Sequence, residues 1–400
     1  MRIILAALFF FAILTLWVPA WWPVTVFQVG VFALAGVAVL QAPQRPLKLR
    51  WPLAPLAFAV LWGTMQWLTG RTAYALKTQT AIVHWATLLA VFLIGYSVLR
   101  DASALQWFRS AMVWFAFAVS VQATLQNFTA GGRVFWLFPT GYTDYVLGPI
   151  VYHNHYAAFI EAVLPMALYE ALRGKRRALL HTAIPAAMYA SVIASGSRAG
   201  SVLASAEVVA VIAILWLGGR ASGRAAGLSL VSLAALCAVF TLVVGPEAVW
   251  SRFQIAEEMR PQFAAASLHM ISAHPWIGVG LGTWPTVYPR YALADFGVYV
   301  NQAHSDWLQW AAEGGVPFVL MIATLFTWSI RAAWRSVWGL GVVAVFLHAS
   351  VDYPFSRPAL GSWVVVIIAM LAARGVAGRQ NDSQPPEQII FAENLNRSSD

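Results

Sequence analysis

The sequence predicts an all-α protein: a polytopic membrane helical bundle of about 12 transmembrane helices with one large periplasmic loop. Three observations predict it. Hydrophobic residues make up 60% of the chain and charged residues only 10%, where a soluble domain typically carries about 25% charge. Apolar runs of spanning length recur with short breaks between them. The 20 Trp and 12 Tyr suit rings that settle at membrane–water interfaces. In a soluble protein the formal net charge of +9 would suggest nucleic acid, but here loop charges that set topology account for it. The single cysteine, Cys237, lies in an apolar run, which excludes an intrachain disulfide and a Cys-based metal site.

The spans are expected at 3–20, 22–40, 52–69, 79–99, 104–126, 153–171, 178–195, 199–217, 226–244, 307–330, 335–351 and 359–373. The first run follows Arg2 and resembles a signal peptide, but Leu16 to Trp22 is bulky where a cleavage site needs small residues. It is therefore expected to be a retained span. Pro19 and Pro23 separate the first pair, and Pro354 and Pro358 lie at the break between the last pair.

Lys and Arg set the orientation. Alternate breaks, with Arg2 and the tail, carry 17 of the 25 basic residues: Arg45, Lys48 and Arg50, Arg100 and Arg109, Arg173 to Arg177, Arg220 and Arg224, Arg331 and Arg335, Arg374, Arg379 and Arg397. The positive-inside rule puts this set, and both termini, in the cytoplasm. An even number of spans agrees. Two long loops then face outward, about 127–152 and about 245–305, while the cytoplasmic loops are short. Residues 1–379 form one membrane-embedded domain, and 380–400 read as a disordered cytoplasmic tail. An asymmetry of this kind places chemistry or recognition on the outer face.

Basic residues are few on that face. Arg198 stands in Ser195-Gly196-Ser197-Arg198-Ala199-Gly200, a tight turn between two spans. Glycines there let backbone approach a ligand closely, and a guanidinium suits a phosphate, to which it donates two parallel hydrogen bonds. The plainer alternative is a snorkelling anchor. Arg260 precedes Pro261, and 261–272 reads as a helix with Pro at its first position and an apolar face of Phe263, Met270 and Ile271. Arg260 then lies at a helix start that also favours anions, or it is simply a solvated surface residue.

His274-Pro275-Trp276-Ile277-Gly278-Val279-Gly280-Leu281-Gly282 mimics a dinucleotide loop, but no strand precedes it and it lies on the outer side, so that reading is rejected. His304 lies where the outer loop meets the next span and can take a proton near neutral pH, unless it only caps the helix. Asp306 and Glu313 follow seven residues apart, on one helix face. Tyr152-His153-Asn154-His155-Tyr156 opens the sixth span. His153 and His155, at i and i+2, do not share a face, so a metal pair is not expected, and substrate hydrogen bonding or capping is. Glu161 lies two turns deeper, either as a functional intramembrane carboxylate or in a structural hydrogen bond.

Taken together these segments resemble the superfamily of O-antigen ligases and O-antigen polymerases. The features that carry the resemblance are the Ser197-Arg198-Ala199-Gly200 turn, Arg260 ahead of a helix, His274 to Gly280, Ala303-His304-Ser305 with Glu313-Gly314-Gly315, and His153-Asn154-His155. They extend over about 150–320, while the first 120 residues match only as apolar spans. The resemblance implies a metal-independent inverting glycosyltransferase without a cofactor. Its donor is a glycan on undecaprenyl diphosphate, and its acceptor is lipid A–core, another glycan or a protein hydroxyl. Catalysis is expected from His304, Arg198 and Arg260, with Arg290, Glu313, His155 and His153 as substrate-binding candidates. A lipid A–core acceptor is slightly favoured by the absence of an added soluble domain. The rival of another class, a transporter or flippase, predicts an inverted repeat with paired broken helices. None is visible in the sequence.

Overall fold

In the computed structural model, residues 1–40, 50–141, 146–173, 178–219, 259–295 and 297–381 are described, with isolated positions between 223 and 238. Most of the expected span at 226–244, with Cys237, the first part of the expected outer loop with Arg252, and the tail beyond 381 lie outside the described residues.

The protein is mostly helical. The helices are α1 (Arg2–Leu14), α2 (Trp22–Leu40), α3 (Leu53–Leu68), α4 (Ala75–Val98), α5 (Ala102–Thr129), α6 (His153–Glu161), α7 (Leu164–Arg173), α8 (Ala178–Ser195) and α9 (Arg198–Leu217). Then follow α10 (Arg260–Ala273), the short α11 (Trp284–Val287), α12 (Asp306–Arg335), α13 (Leu340–His348) and α14 (Pro358–Asn381). Among the described residues, α2, α4, α5, α9 and α12 are long and apolar enough to cross a membrane. Large apolar side chains stay exposed on the bundle, such as Val202 at 69% and Leu61 at 67%, as a lipid-facing surface requires.

The core sits around α14. Residues 363–373 of that helix are buried on every side, as a helix apolar all round must be. Trp363 is ringed by Phe9, Phe115 and Phe159 at centroid distances of 6.0, 5.8 and 5.2 Å.

The structure corrects the sequence reading in three places. The run 153–171 is not one helix but α6 and α7, broken at Ala162 and Val163. Pro165 has no N–H for the carbonyl of Glu161, and its ring crowds that carbonyl. Gly341 of α13 packs there: a Cβ at its position would lie 2.4 Å from the Glu161 carbonyl oxygen. The run 307–330 is also interrupted, because Gly315 has φ 75° and ψ 178° and Pro317 follows. Finally, the chain is not wholly helical, since Arg133–Val134 and Phe138–Pro139 pair as a two-stranded antiparallel hairpin.

The break in α12 organises the segment 275–284. The carbonyls it frees are taken from outside the helix: Val279 N–H donates to Ala312 at 3.0 Å, and Gly280 N–H to Glu313 at 3.0 Å. The indole of Trp62 donates to Gly314 at 2.9 Å, and the amide of Gln66 donates to the Glu313 carbonyl at 2.9 Å. Val316 N–H donates back to Pro275 at 2.8 Å. Non-helical backbone within an apolar bundle is tolerated only when its polar groups are satisfied in this way. The glycines of 278–282 serve this docking rather than a ligand. A Cβ at Gly278 would lie 2.3 Å from the Glu313 backbone, and Gly280, with φ 108°, abuts Thr72.

Candidate active site at one end of the helical bundle

The start of α6, the start of α10, the residue before α12 and the strap between α13 and α14 meet at one end of the bundle. Each is placed by local rules. Ser305 caps α12 by accepting from Leu308 N–H at 3.3 Å, so His304 is not the cap. His304 takes φ 53°, in the left-handed region, and its neighbours hold it there. On one side Ala303 N–H donates to the Gln309 side chain at 3.2 Å, and on the other Asp306 N–H donates to the Asp352 carbonyl at 3.0 Å. A strained conformation fixed from both flanks aims the imidazole.

The ring of His304 stacks on Phe263 at 5.6 Å and meets the edge of Tyr353 at 5.0 Å and 88°. Its Nδ1 is buried with no hydrogen-bond partner among the described residues. Burial, and then the charge of Arg260, lower its pKa from 6.5 to about 4. At neutral pH His304 is therefore an uncharged imidazole with a free lone pair.

A hydrogen-bond chain links the two arginine segments. Ser197, the cap of α9, accepts from Gly200 N–H at 3.1 Å and donates to Asn154 Oδ1 at 2.7 Å. Asn154 Nδ2 donates to the Tyr152 hydroxyl at 3.1 Å. Arg260 Nη2 donates to the same hydroxyl at 3.0 Å, and Nη1 donates to the Val351 carbonyl. Arg198, the first residue of α9, is exposed at the end of this chain. Burial is the main cause that raises the pKa of Tyr152, so its phenol stays protonated. The glycine argument for the 196–200 turn takes a different form here. A Cβ at Gly200 would lie 2.4 Å from Ala157 Cβ, so the glycine lets α9 approach α6 rather than a ligand.

The other candidates fall in different places. His155 is buried between Tyr152 and Tyr353, each at 4.7 Å between ring centres. His153 stacks on Tyr152 at 5.1 Å. Glu313 is buried, and its carboxylate accepts from Gly282 N–H at 2.8 Å, Trp284 N–H at 3.0 Å and Gln309 Nε2 at 3.1 Å, so it anchors the loop. Arg290 is exposed and lines a separate cavity with Arg71. Asp306 accepts from Phe355 N–H at 2.8 Å and the Ser356 hydroxyl at 2.7 Å, which fixes the strap. Glu161 lies 2.9 Å from His348 Nδ1 with both groups fully buried, and so is engaged structurally.

Four residues of the site escaped the sequence reading: Asn154, Tyr152, Tyr353 and Asp352. The first two stand in the segment around His153, where the imidazoles are the stronger chemical signal. Asp352-Tyr353-Pro354 carried a signal only as a polar pair at a span break.

This arrangement defines a class: a multi-pass helical membrane protein, one end of which brings Arg260, a neutral histidine and two tyrosines together and ties them to the turn that carries Arg198. Residues 183–323 match the family model described as O-antigen ligase, which supports placing the chain in the O-antigen ligase superfamily of membrane glycosyltransferases. The matched segment contains Arg198, Arg260, Arg290, His304 and Glu313, but not His153 or His155. No curated protein matches the chain.

Proposed function

We propose that the protein transfers a glycan from undecaprenyl diphosphate to an acceptor hydroxyl at the periplasmic face of a bacterial inner membrane, with a lipid A–core sugar as the favoured acceptor. The distribution of Lys and Arg over the twelve expected spans supports that face by the positive-inside rule. The observation that carries the reading is the chain Ser197–Asn154–Tyr152–Arg260, which ties the two arginine segments together beside the neutral imidazole of His304.

The chemistry follows from the charges. The acceptor hydroxyl attacks the anomeric carbon, the bond from that carbon to the diphosphate oxygen breaks, and the hydroxyl proton passes to His304. Charge grows on the departing diphosphate, and Arg198 and Arg260 offset it as fixed cations in a metal-independent reaction. Attack opposite the leaving group inverts the anomeric centre. Arg260 is held from two sides before substrate arrives, so little reorganisation remains for the transition state. Burial, and then the positive charge of Arg260, keep His304 neutral, so its imidazole is free to accept the proton.

The test is transfer by the purified protein in detergent, from undecaprenyl-diphosphate glycan, with and without lipid A–core and with chelator, beside His304→Ala. A single acceptor-dependent product that is lost in the variant and indifferent to chelator supports the proposal. A ladder formed without lipid A–core assigns a polymerase. No product with either acceptor overturns the reading and sends the search to protein acceptors and then to transport.

A further inference from the structure

A cavity of about 350 Å³ opens between the α3–α4 turn, the glycine segment and the end of α11. Its polar lining is Arg71, Thr72, His274, Arg290 and Tyr291, and no carboxylate lines it. The walls are tied to one another. Ala73 N–H donates to the Val279 carbonyl at 2.9 Å, and Gly280 lies against Thr72. Gly278 N–H donates to the His274 carbonyl at 3.0 Å, and the Tyr291 hydroxyl is 3.4 Å from His274 Nε2. Arg71 and Arg290 thus enter one space from two elements bound to the same loop.

Neither guanidinium makes a hydrogen bond or ion pair with the described residues. Two like charges brought to one cavity without a counter-charge repel each other, and an anion shared between them reverses that cost. A merely structural role, each arginine complementing the carbonyls at the end of its helical turn, would need no shared cavity.

We propose that this cavity is an anion site for a phosphate group, gripped by Arg71 and Arg290 and supplied by a phosphorylated glycan or by a lipid head group. Guanidinium forks match phosphate oxygens in pairs, and the volume suits one phosphate with part of its sugar or glycerol. The site recognises a phosphate, and its test needs no glycan transfer.

The experiment is arginine modification of the full-length protein in phosphatidylcholine nanodiscs. Phenylglyoxal labelling of Arg71 and Arg290 is read by mass spectrometry of their peptides. Glucose 6-phosphate, glucose and, in separate discs, added phosphatidylglycerol are the probes. The expected result is labelling of both arginines slowed about tenfold by a phosphate probe and unchanged by glucose. Protection by glucose 6-phosphate assigns a glycan phosphate, and protection by phosphatidylglycerol alone assigns a head group. Arg290→Gln is expected to remove the protection of Arg71. Equal labelling with every probe, or full protection of Arg71 in Arg290→Gln, overturns the proposal. Because labelling is read without turnover, a failed transfer assay leaves this result standing, and the reverse holds too.

Discussion

The guanidinium of Arg260 donates to the hydroxyl of Tyr152, 108 positions away in the chain, at 3.0 Å. The contact joins the start of α10 to the start of α6. Replacing Tyr152 with Phe keeps the ring against His155 and Tyr353 but removes this acceptor. Val351 still holds one arm, so kcat is expected to fall about tenfold with KM little changed. Arg260→Lys loses the fork altogether, and a fall on the order of 100-fold is expected, as for removal of one preorganised donor. Steady-state transfer kinetics check both. Full activity in Arg260→Lys removes Arg260 from the mechanism.

The acid side of the rate profile is expected to report His304. Its pKa is lowered to about 4, so the wild-type kcat/KM should hold as pH falls from 7 and decline only near 4. Arg260→Gln removes the smaller of the two causes of lowering. The acid limb then moves to higher pH while staying below 6.5, because burial remains. Stability has a definite sign as well. Between 6.5 and 4 the unfolded chain binds the proton and the folded one does not, so the contribution of His304 is intact above 6.5 and is lost as pH falls toward 4. His304→Gln should flatten that loss in a thermal melt, and an unchanged slope would refute it.

Glu313 separates a structural role from a chemical one. Glu313→Ala leaves the N–H groups of Gly282 and Trp284 and the amide of Gln309 unpaired in a buried place. A loss of about 3 kcal/mol or more is expected. Glu313→Gln keeps one accepting oxygen and should recover part of the melting temperature. If Glu313→Gln instead melts as wild type and has no transfer activity, Glu313 acts on substrate.

The pair Glu161 and His348 clamps α6 to α13 beneath the site, with both side chains fully buried. Removing one partner of a buried pair typically costs about 3–5 kcal/mol. Glu161→Ala is therefore expected to lower the melting temperature strongly. Because Val351 and Tyr353 follow His348 directly, activity should fall with stability. A melt unchanged in Glu161→Ala would show that the pair contributes nothing.

Much of this was legible in the sequence, for physical reasons that differ by element. Apolar period and length marked the helices at 22–40, 104–126 and 199–217, because lipid demands length and leaves little to tertiary context. The same criterion joined α6 to α7 and missed the bend in α12, since hydropathy does not register a missing N–H. Pro165 and Pro317 did carry that information, two residues past each break. Within the site, His304 was readable as a rare polar residue at the entrance of a span, and Arg260 as a basic residue at a helix start in the expected outer loop. Tyr353 and Asn154 were not, because a tyrosine or asparagine at an interface is common and only the fold shows which ring or amide it meets.

The bend of α12 also sets an order of assembly. Val279, Gly280, Gly282 and Trp284 are made on the ribosome before the helix that receives them, and Trp62 and Gln66 long before it. Contacts that span 252 and 247 positions close only when α12 arrives. During synthesis the earlier helices can insert one by one, but the outer loop has no template until the tenth apolar run emerges. A chain halted before residue 313 would therefore carry every arginine assigned here to catalysis and still lack a site.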